Sequence, residues 1–168
     1  MKEKLGIIGS RSMIGLQVTE QLSKDHQASL IRADIKGDTQ IDITSRQSVA
    51  NFFGKNGDKF DWVILFAAYT DVDGAEIQRN NKQGLCWQIN VEGTANIARA
   101  CKKYTKKLIF FSTDFVFDGT AGPYSEDDEV GPDLTLVSWY GATKIEAEKT
   151  IAGILEENEY LVIRITYP

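Results

Sequence analysis

Tyr140 and Lys144 stand four residues apart in the run Tyr140-Gly141-Ala142-Thr143-Lys144, a spacing suited to proton chemistry. On a helix, positions i and i+4 lie above one another, with Cβ atoms about 5–6 Å apart. An ammonium held there stabilises a phenolate and so lowers the pKa of the phenol. Free tyrosine titrates near ~10, so proton transfer at neutral pH asks for a pKa lowered by about three units, or about 4 kcal/mol. One lysine rarely supplies that alone, and a second positive charge at the site is expected. Tyr-x-x-x-Lys also arises by chance on exposed helices, so the weight of the pair rests on the elements that position it.

Those elements begin at the N-terminus. Leu5 to Ile8 form a short apolar run, followed by Gly9-Ser10-Arg11-Ser12-Met13-Ile14-Gly15 and then by the periodic apolar residues Met13, Ile14, Leu16, Val18 and Leu22. A strand, a glycine-bearing turn and a helix is the context of a phosphate-binding loop. Gly9 permits the tight turn, Gly15 lets the helix approach the sheet, and the first N–H groups of the helix face a pyrophosphate. Asp34 follows about 20 residues later, where a ribose-binding carboxylate is expected. The pattern predicts a bound dinucleotide, NADP or NAD, whose oxidised nicotinamide would be the second positive charge beside Tyr140. Asp34 would accept from a ribose 2′-hydroxyl and favours NAD, whereas Arg11 and Arg32 could bind a 2′-phosphate and favour NADP. The reading leans to tolerance of NADP and leaves the choice open.

The chain has 168 residues, 42% of them hydrophobic, and a formal net charge of −5. That length predicts one domain spanning 1–168 with a well-buried core. The mild acidity gives no reason to expect nucleic acid as a partner. No window approaches the ~20 apolar residues that span a membrane, and because Met1 to Lys4 lead straight into the first strand no signal peptide is expected. Cys86 and Cys101 lack metal-ligand spacing and read as reduced thiols of a cytoplasmic protein. The single histidine, His26, falls in a polar turn, so no histidine catalysis and no metal are expected.

Strand and helix patterns alternate throughout. Strands are expected at Leu5–Ile8, Ala28–Ile31, Gln40–Ile43, Trp62–Phe66, Leu108–Ser112 and Leu161–Ile165. Helices are expected at Met13–Leu22, Arg46–Lys55, Leu85–Lys103 and Tyr140–Glu157, with Thr44 and Gln47 as a capping box before the second. Alternation of this kind predicts an α/β fold, a doubly wound parallel sheet of Rossmann type with right-handed crossovers. Ligands on such sheets bind beyond the carboxyl ends of the strands. The long irregular stretch from Asp114 to Trp139 follows one such end, and loops of that length are commonly functional. Asp71, Asp73 and Glu76 read as charges at a helix N-terminus, and Lys102, Lys103, Lys106 and Lys107 as a solvated helix end.

With these residues in place the chain resembles the extended short-chain dehydrogenase/reductase family, of the NAD-dependent epimerase/dehydratase type. The resemblance is carried by the Gly9 loop, Ala67-Ala68-Tyr69-Thr70, Asn90-Val91-Glu92-Gly93-Thr94-Ala95-Asn96, and Ser112-Thr113-Asp114-Phe115-Val116-Phe117-Asp118-Gly119-Thr120 with Gly122-Pro123-Tyr124. Together with Tyr140 and Lys144, these stretches look like the branch that includes dTDP-4-dehydrorhamnose reductase. The resemblance implies an NAD(P)-dependent oxidoreductase domain acting on a nucleotide-linked keto sugar. Tyr140 would be the general acid/base, Lys144 would lower its pKa and bind the nicotinamide ribose, and Thr113 would hydrogen-bond the reacting oxygen. Asp42 and Ile43 match the pair that contacts the adenine. Ala67 and Ala68 would pass backbone close to the cofactor, and Asn90 matches an asparagine of the site architecture, or is a satisfied polar anchor. A homodimer through the Leu85–Lys103 and Tyr140–Glu157 helices is expected by the same analogy. A sugar-nucleotide epimerase, or an NAD(P)-binding module without turnover, would use the same residues.

The chain departs from the family pattern in four places. Ser12 stands where the middle glycine of the loop is usual and would crowd the pyrophosphate. Leu65 and Phe66 replace polar or small residues and would reshape the pocket wall. The approach Pro132–Trp139 is longer than usual. The C-terminal portion with which the family binds its sugar nucleotide is expected to be absent.

Overall fold

Five apolar runs pair side by side in one parallel sheet, and their order places a crevice above the glycine loop. The computed structural model describes residues 3–24 and 28–166; His26 lies outside the described residues. The strands are β1 (Glu3–Ile8), β2 (Ala28–Ala33), β3 (Trp62–Leu65), β4 (Lys107–Thr113) and β5 (Tyr160–Ile165). Their order is β2-β1-β3-β4-β5, with every pairing parallel. From β1 the chain first moves outward to β2 and then returns to β3 on the opposite side. The strand order therefore reverses between β1 and β3, and a crevice opens at their carboxyl ends.

Gln40–Ile43 does not form the expected strand. Only one parallel bridge, between Asp34 and Gln40, is made there. Local side chains take the backbone groups that a ladder would use: Asp42 N–H donates to Ser48 Oγ at 2.9 Å, and the Asp42 carboxylate accepts from Thr44 N–H at 2.9 Å and from its hydroxyl at 2.7 Å. Such bonds compete directly with sheet pairing.

The helices are α1 (Met13–Lys24), α2 (Arg46–Asn56), α3 (Val72–Glu76), α4 (Leu85–Trp87), α5 (Thr94–Tyr104) and α6 (Trp139–Ile154). The capping box of Thr44 and Gln47 is not formed; Ser45 caps α2 by accepting from Ser48 N–H, and Gln47 bonds Asn51 instead. The helix expected over Leu85–Lys103 is not uniform, because a π-helical turn, Gln88–Gly93, separates α4 from α5. Asp71 caps α3 by accepting from Gly74 N–H, whereas Glu76 ends that helix, pairs with Arg79 and accepts from Trp139 N–H. Lys102 pairs with Glu156 and Glu159.

Side chains alternate across the strands. One face sends Ile8, Val63, Leu65, Leu108 and Phe110 into a core shared with α2, α5 and α6, where Phe53 and Phe60 meet edge to face at 5.6 Å. The other face sends Ile7, Ile64 and Phe66 against Ile14, Val18 and Leu22 of α1. Leu65 and Phe66 thus belong to the core, with Phe66 packed 4.6 Å from Phe111, and do not reshape a pocket wall as expected. Among the described residues no helix is long and apolar enough to cross a membrane.

Candidate functional site

The glycine loop is built by backbone contact. Gly9 has φ +84°, and a Cβ there would run into the backbone of Ala67, so the turns after β1 and β3 touch at the crevice. A Cβ at Gly15 would likewise collide with the Gly9 carbonyl. Both positions need glycine, one for the left-handed backbone and both for close approach.

Ser12 plays a part that its crowding of the loop did not suggest. Its hydroxyl donates to Gly9 O at 2.8 Å and accepts from Gly15 N–H at 3.1 Å, so it ties the loop and caps α1. No partner is found among the described residues for the N–H groups of Met13 and Ile14. Two donors at the positive end of α1 therefore stay available for an anion.

Asp34 follows β2 and accepts from Arg11 N–H at 2.9 Å, so the carboxylate braces the glycine loop. The Arg11 side chain lies against Gly37, whose φ is +128°. Ser10, Arg11, Arg32, Asp34, Gly37 and Thr39 line an open groove of about 730 Å³ at this end of the sheet. The groove lies on the β2 side, and Thr113, Tyr140 and Lys144 do not line it.

Asp42 and Ile43 cross above the start of α5. Asn96 donates to Ile43 O at 2.9 Å, and a Cβ at Gly93 would strike the Ile43 side chain. Ala67 N–H bonds Ile8 O at 3.2 Å, while Ala68 is half-buried in the same turn. Asn90 anchors that turn from the π-helical segment: it accepts from Tyr69 N–H at 2.8 Å and donates to Tyr69 O at 3.1 Å. Its amide also donates to Thr143 Oγ1 at 3.0 Å. Thr143, fully buried on α6, passes the chain on by donating to Tyr140 O at 2.7 Å. Asn90 is thus a fully satisfied anchor joining the β3 turn to the helix that carries Tyr140.

Ser138 caps α6 by accepting from Gly141 N–H, which fixes the turn bearing Tyr140. Lys144 lies one turn later and is buried, donating to the Phe111 carbonyl at 2.6 Å with its ammonium 4.0 Å from the Phe110 ring centre. Burial pulls its pKa down to about 7, opposed first by Glu148 and then by Cys86. Tyr140 moves the other way from the expectation. Burial, with Cys86 and Asp114 nearby, pushes the phenol above its ordinary value. In the described arrangement the Lys144 ammonium turns to a strand carbonyl, and desolvation of the phenol decides the direction.

Thr113 ends β4 between two contacts to α6. Phe111, two residues before it, receives Lys144, and Phe115, two residues after it, lies edge-on to the Tyr140 ring at 6.2 Å and 85°. The Thr113 hydroxyl donates to Asp114 Oδ1 at 3.1 Å and accepts from Phe115 N–H at 3.2 Å. The end of β4 and the turn that follows it are therefore set against the part of α6 that carries Tyr140 and Lys144. Thr143, Glu148 and Arg164 were not singled out by sequence reasoning, and Phe115 was noted only as part of the Ser112–Thr120 stretch. Of these, only the position of Thr143 within the tyrosine–lysine run gave a sign.

Residues 3–167 match the family described as RmlD substrate binding domain. The chain is 32% identical over 160 residues to a dTDP-4-dehydrorhamnose reductase of Mycobacterium tuberculosis (strain CDC 1551 / Oshkosh), covering 92% of this chain and 47% of the relative. It is 34% identical over 154 residues to that of Mycolicibacterium smegmatis, covering 90% and 42%. Among solved structures, the dTDP-4-dehydrorhamnose reductase of Bacillus anthracis str. Ames in complex with NADP superposes with a TM-score of 0.84 at 30% identity, covering 99% of this chain and 54% of that one. The chain spans about half the length of the curated relatives it matches.

Proposed function

Because the chain belongs to the RmlD substrate binding domain family, we propose that it is the NAD(P)-binding and proton-donating portion of a reductase acting on a nucleotide-linked keto sugar of the dTDP-4-dehydrorhamnose type. The observation that carries this reading is the pair of contacts flanking Thr113, Phe111 O on β4 to Lys144 and the Phe115 ring in the turn after β4 to Tyr140, which set the end of β4 against the part of α6 that bears the phenol and the ammonium.

A dinucleotide fits the residues present. The Gly9–Ala67 contact leaves no room for a side chain at Gly9, and the N–H groups of Met13 and Ile14, without a partner among the described residues, suit a pyrophosphate. Arg11 and Asp34 would hold the adenosine ribose and any 2′-phosphate on it, and Lys144 would hold the nicotinamide ribose. When bound, the reduced nicotinamide supplies the hydride. Tyr140 delivers the proton to the carbonyl oxygen, and its burial keeps it in the phenol form that reduction consumes. Thr113 exchanges its bond to Asp114 for one to the same oxygen, orienting it.

The epimerase reading is weakened by the burial of Tyr140. Removing a proton first needs a phenolate, and burial works against one. The reading extends to the cytoplasm, in keeping with the free, buried Cys86 and Cys101. It extends also to a homodimer through the segment from α4 to α5 and through α6, which light scattering at micromolar concentration would test.

The test of function joins cofactor titration with one substitution. NADPH or NADH should bind this chain in calorimetry. In the corresponding full-length reductase, Tyr140→Phe should abolish oxidation of NADPH by dTDP-4-dehydrorhamnose while leaving NADPH affinity unchanged. A chain that binds neither nucleotide would favour a module without turnover, and activity retained in Tyr140→Phe would remove Tyr140 from the chemistry.

A further inference from the structure

Arg164, near the carboxyl end of β5, joins parts of the chain far apart in sequence. Its Nη2 and Nε donate to the Glu148 carboxylate at 2.9 and 3.3 Å, and its Nη1 donates to the carbonyl of Glu126 at 3.0 Å. The guanidinium carbon also stands 5.4 Å from the centre of the Phe117 ring. Glu148 is buried on α6, one turn beyond Lys144. Phe117 and Glu126 both belong to the irregular stretch between β4 and α6, and Phe117 stacks on Tyr124 of that stretch at 4.3 Å and 6°.

The start of the same stretch lies against the phenol. Phe115 meets the Tyr140 ring edge-on. Its carbonyl sits so close to Gly141 that any Cβ there would collide with it. One end of the stretch is therefore pressed on the first turn of α6, and its middle is fastened to the third turn through Arg164. An ion pair that merely closed a helix–strand seam would need only the two donors facing Glu148. Here the third guanidinium nitrogen and the cationic face are both spent on the loop, and an arginine fork with a planar face is the side chain able to do all three.

We propose that Arg164, oriented by Glu148, is a positioning residue that holds the 117–126 part of the β4–α6 stretch in place and thereby keeps the Tyr140 site covered. The inference rests on the reading of Tyr140 as the proton donor. Loosening the stretch should let water reach the phenol and uncover the place where a carbonyl substrate must sit. The glycine loop, at the far side of the crevice, should be untouched.

The test compares the whole chain with its Arg164→Met and Arg164→Lys variants. Amide hydrogen exchange across 117–130 reports the stretch, and the ζ-carbon resonance of Tyr140, assigned by its disappearance in Tyr140→Phe, reports the phenol. Calorimetry with NADPH reports the glycine loop. In Arg164→Met, exchange across 117–130 should quicken by about tenfold or more. Tyr140 should titrate at lower pH than in the parent, since the desolvation that raises it is relieved while Cys86 and Asp114 remain. NADPH affinity should not change. Arg164→Lys keeps the charge but not the fork, and should behave like Arg164→Met. If it matches the parent instead, charge alone suffices and the clamp is overturned. Unchanged exchange and unchanged Tyr140 titration in Arg164→Met would also overturn it. Should that variant fail to fold, Phe117→Leu leaves the Glu148 pair intact and must still quicken exchange, or the proposal falls. A chain that loosens as described yet binds no NADPH would sink the reductase reading and leave the clamp standing.

Discussion

Lys144 spends its ammonium on the backbone carbonyl of Phe111, 33 residues away in sequence and 2.6 Å away in space. The bond fixes α6 against β4 and holds the lysine in a buried place where its charge is costly. An unfolded lysine keeps its proton up to about 10.4, whereas the folded one releases it above about 7. Between these values the unfolded chain binds more protons, so stability should rise with pH across that window. Lys144→Met removes the buried charge and fills much the same volume. It should therefore stabilise the chain most below about pH 7 and progressively less above it, flattening the pH dependence. Urea unfolding across that range checks both the sign and the window. A variant equally destabilised at every pH would show that the Phe111 bond outweighs the burial cost.

The glycine loop should separate folding from binding. Gly9→Ala places a methyl group against the Ala67 backbone at a left-handed φ, so it should cost several kcal/mol and abolish nucleotide binding. Ser12→Ala removes the α1 cap and should cost about 1 kcal/mol, whereas Ser12→Gly should cost only a few tenths. Thermal unfolding ranks the three, and calorimetry with NADPH on the two Ser12 variants shows whether the hydroxyl assists or impedes a pyrophosphate.

Cofactor choice should respond to Arg11 and Asp34 in opposite senses. Arg11→Ala should weaken NADPH by about tenfold and leave NADH nearly unchanged, because only a 2′-phosphate would meet the guanidinium. Asp34→Asn removes a like charge from the approaching phosphate and should raise the ratio of NADPH to NADH affinity. Its amide can no longer brace Arg11 N–H as strongly, so both affinities should fall somewhat. Parallel titrations with the two nucleotides decide the point, and identical shifts for both would show that neither side chain reads the ribose.

Thr143 should matter more than a residue between two motif positions would be expected to. Thr143→Val keeps its volume but takes away the acceptor of the Asn90 amide and the donor to Tyr140 O, at a cost of about 1–3 kcal/mol. Thr143→Ser should recover most of it. Urea midpoints compare the two, and equal destabilisation by both would assign the effect to the lost methyl group.

Much of this site could be read along the chain because its parts are local. Gly9, Gly15 and Asp34 serve a turn, a close approach and a strand end, and each signals itself through neighbours in sequence. Tyr140 and Lys144 were legible for the same reason, being one helical turn apart. The partners that settle their chemistry are not local: a carbonyl on β4 receives Lys144, and a ring from the next loop covers Tyr140. Burial reversed the direction expected for the phenol, since desolvation depends on packing that periodicity does not reveal. Gln40–Ile43 was misread because its apolar alternation resembles a strand, while the hydrogen bonds of Asp42 and Ser48 had already claimed the backbone. Arg164 and Glu148 gave no sign, because a strand residue and a helix residue 16 apart have no reason to meet until the sheet is assembled.

The π-helical turn at Gln88–Gly93 is in effect one residue more than an α-helix would hold. Each residue of an α-helix turns the following one by about 100°. Removing a single residue from this turn would let Leu85–Tyr104 run as one regular helix, gaining helical regularity while rotating one flank by about that angle relative to the other. Asn90 could then meet Tyr69 and Thr143, or α5 could keep Ile97 and Cys101 in the core, but not both. The surplus residue reconciles two periodicities, letting one helix serve the interior along one part of its length and the crevice along another.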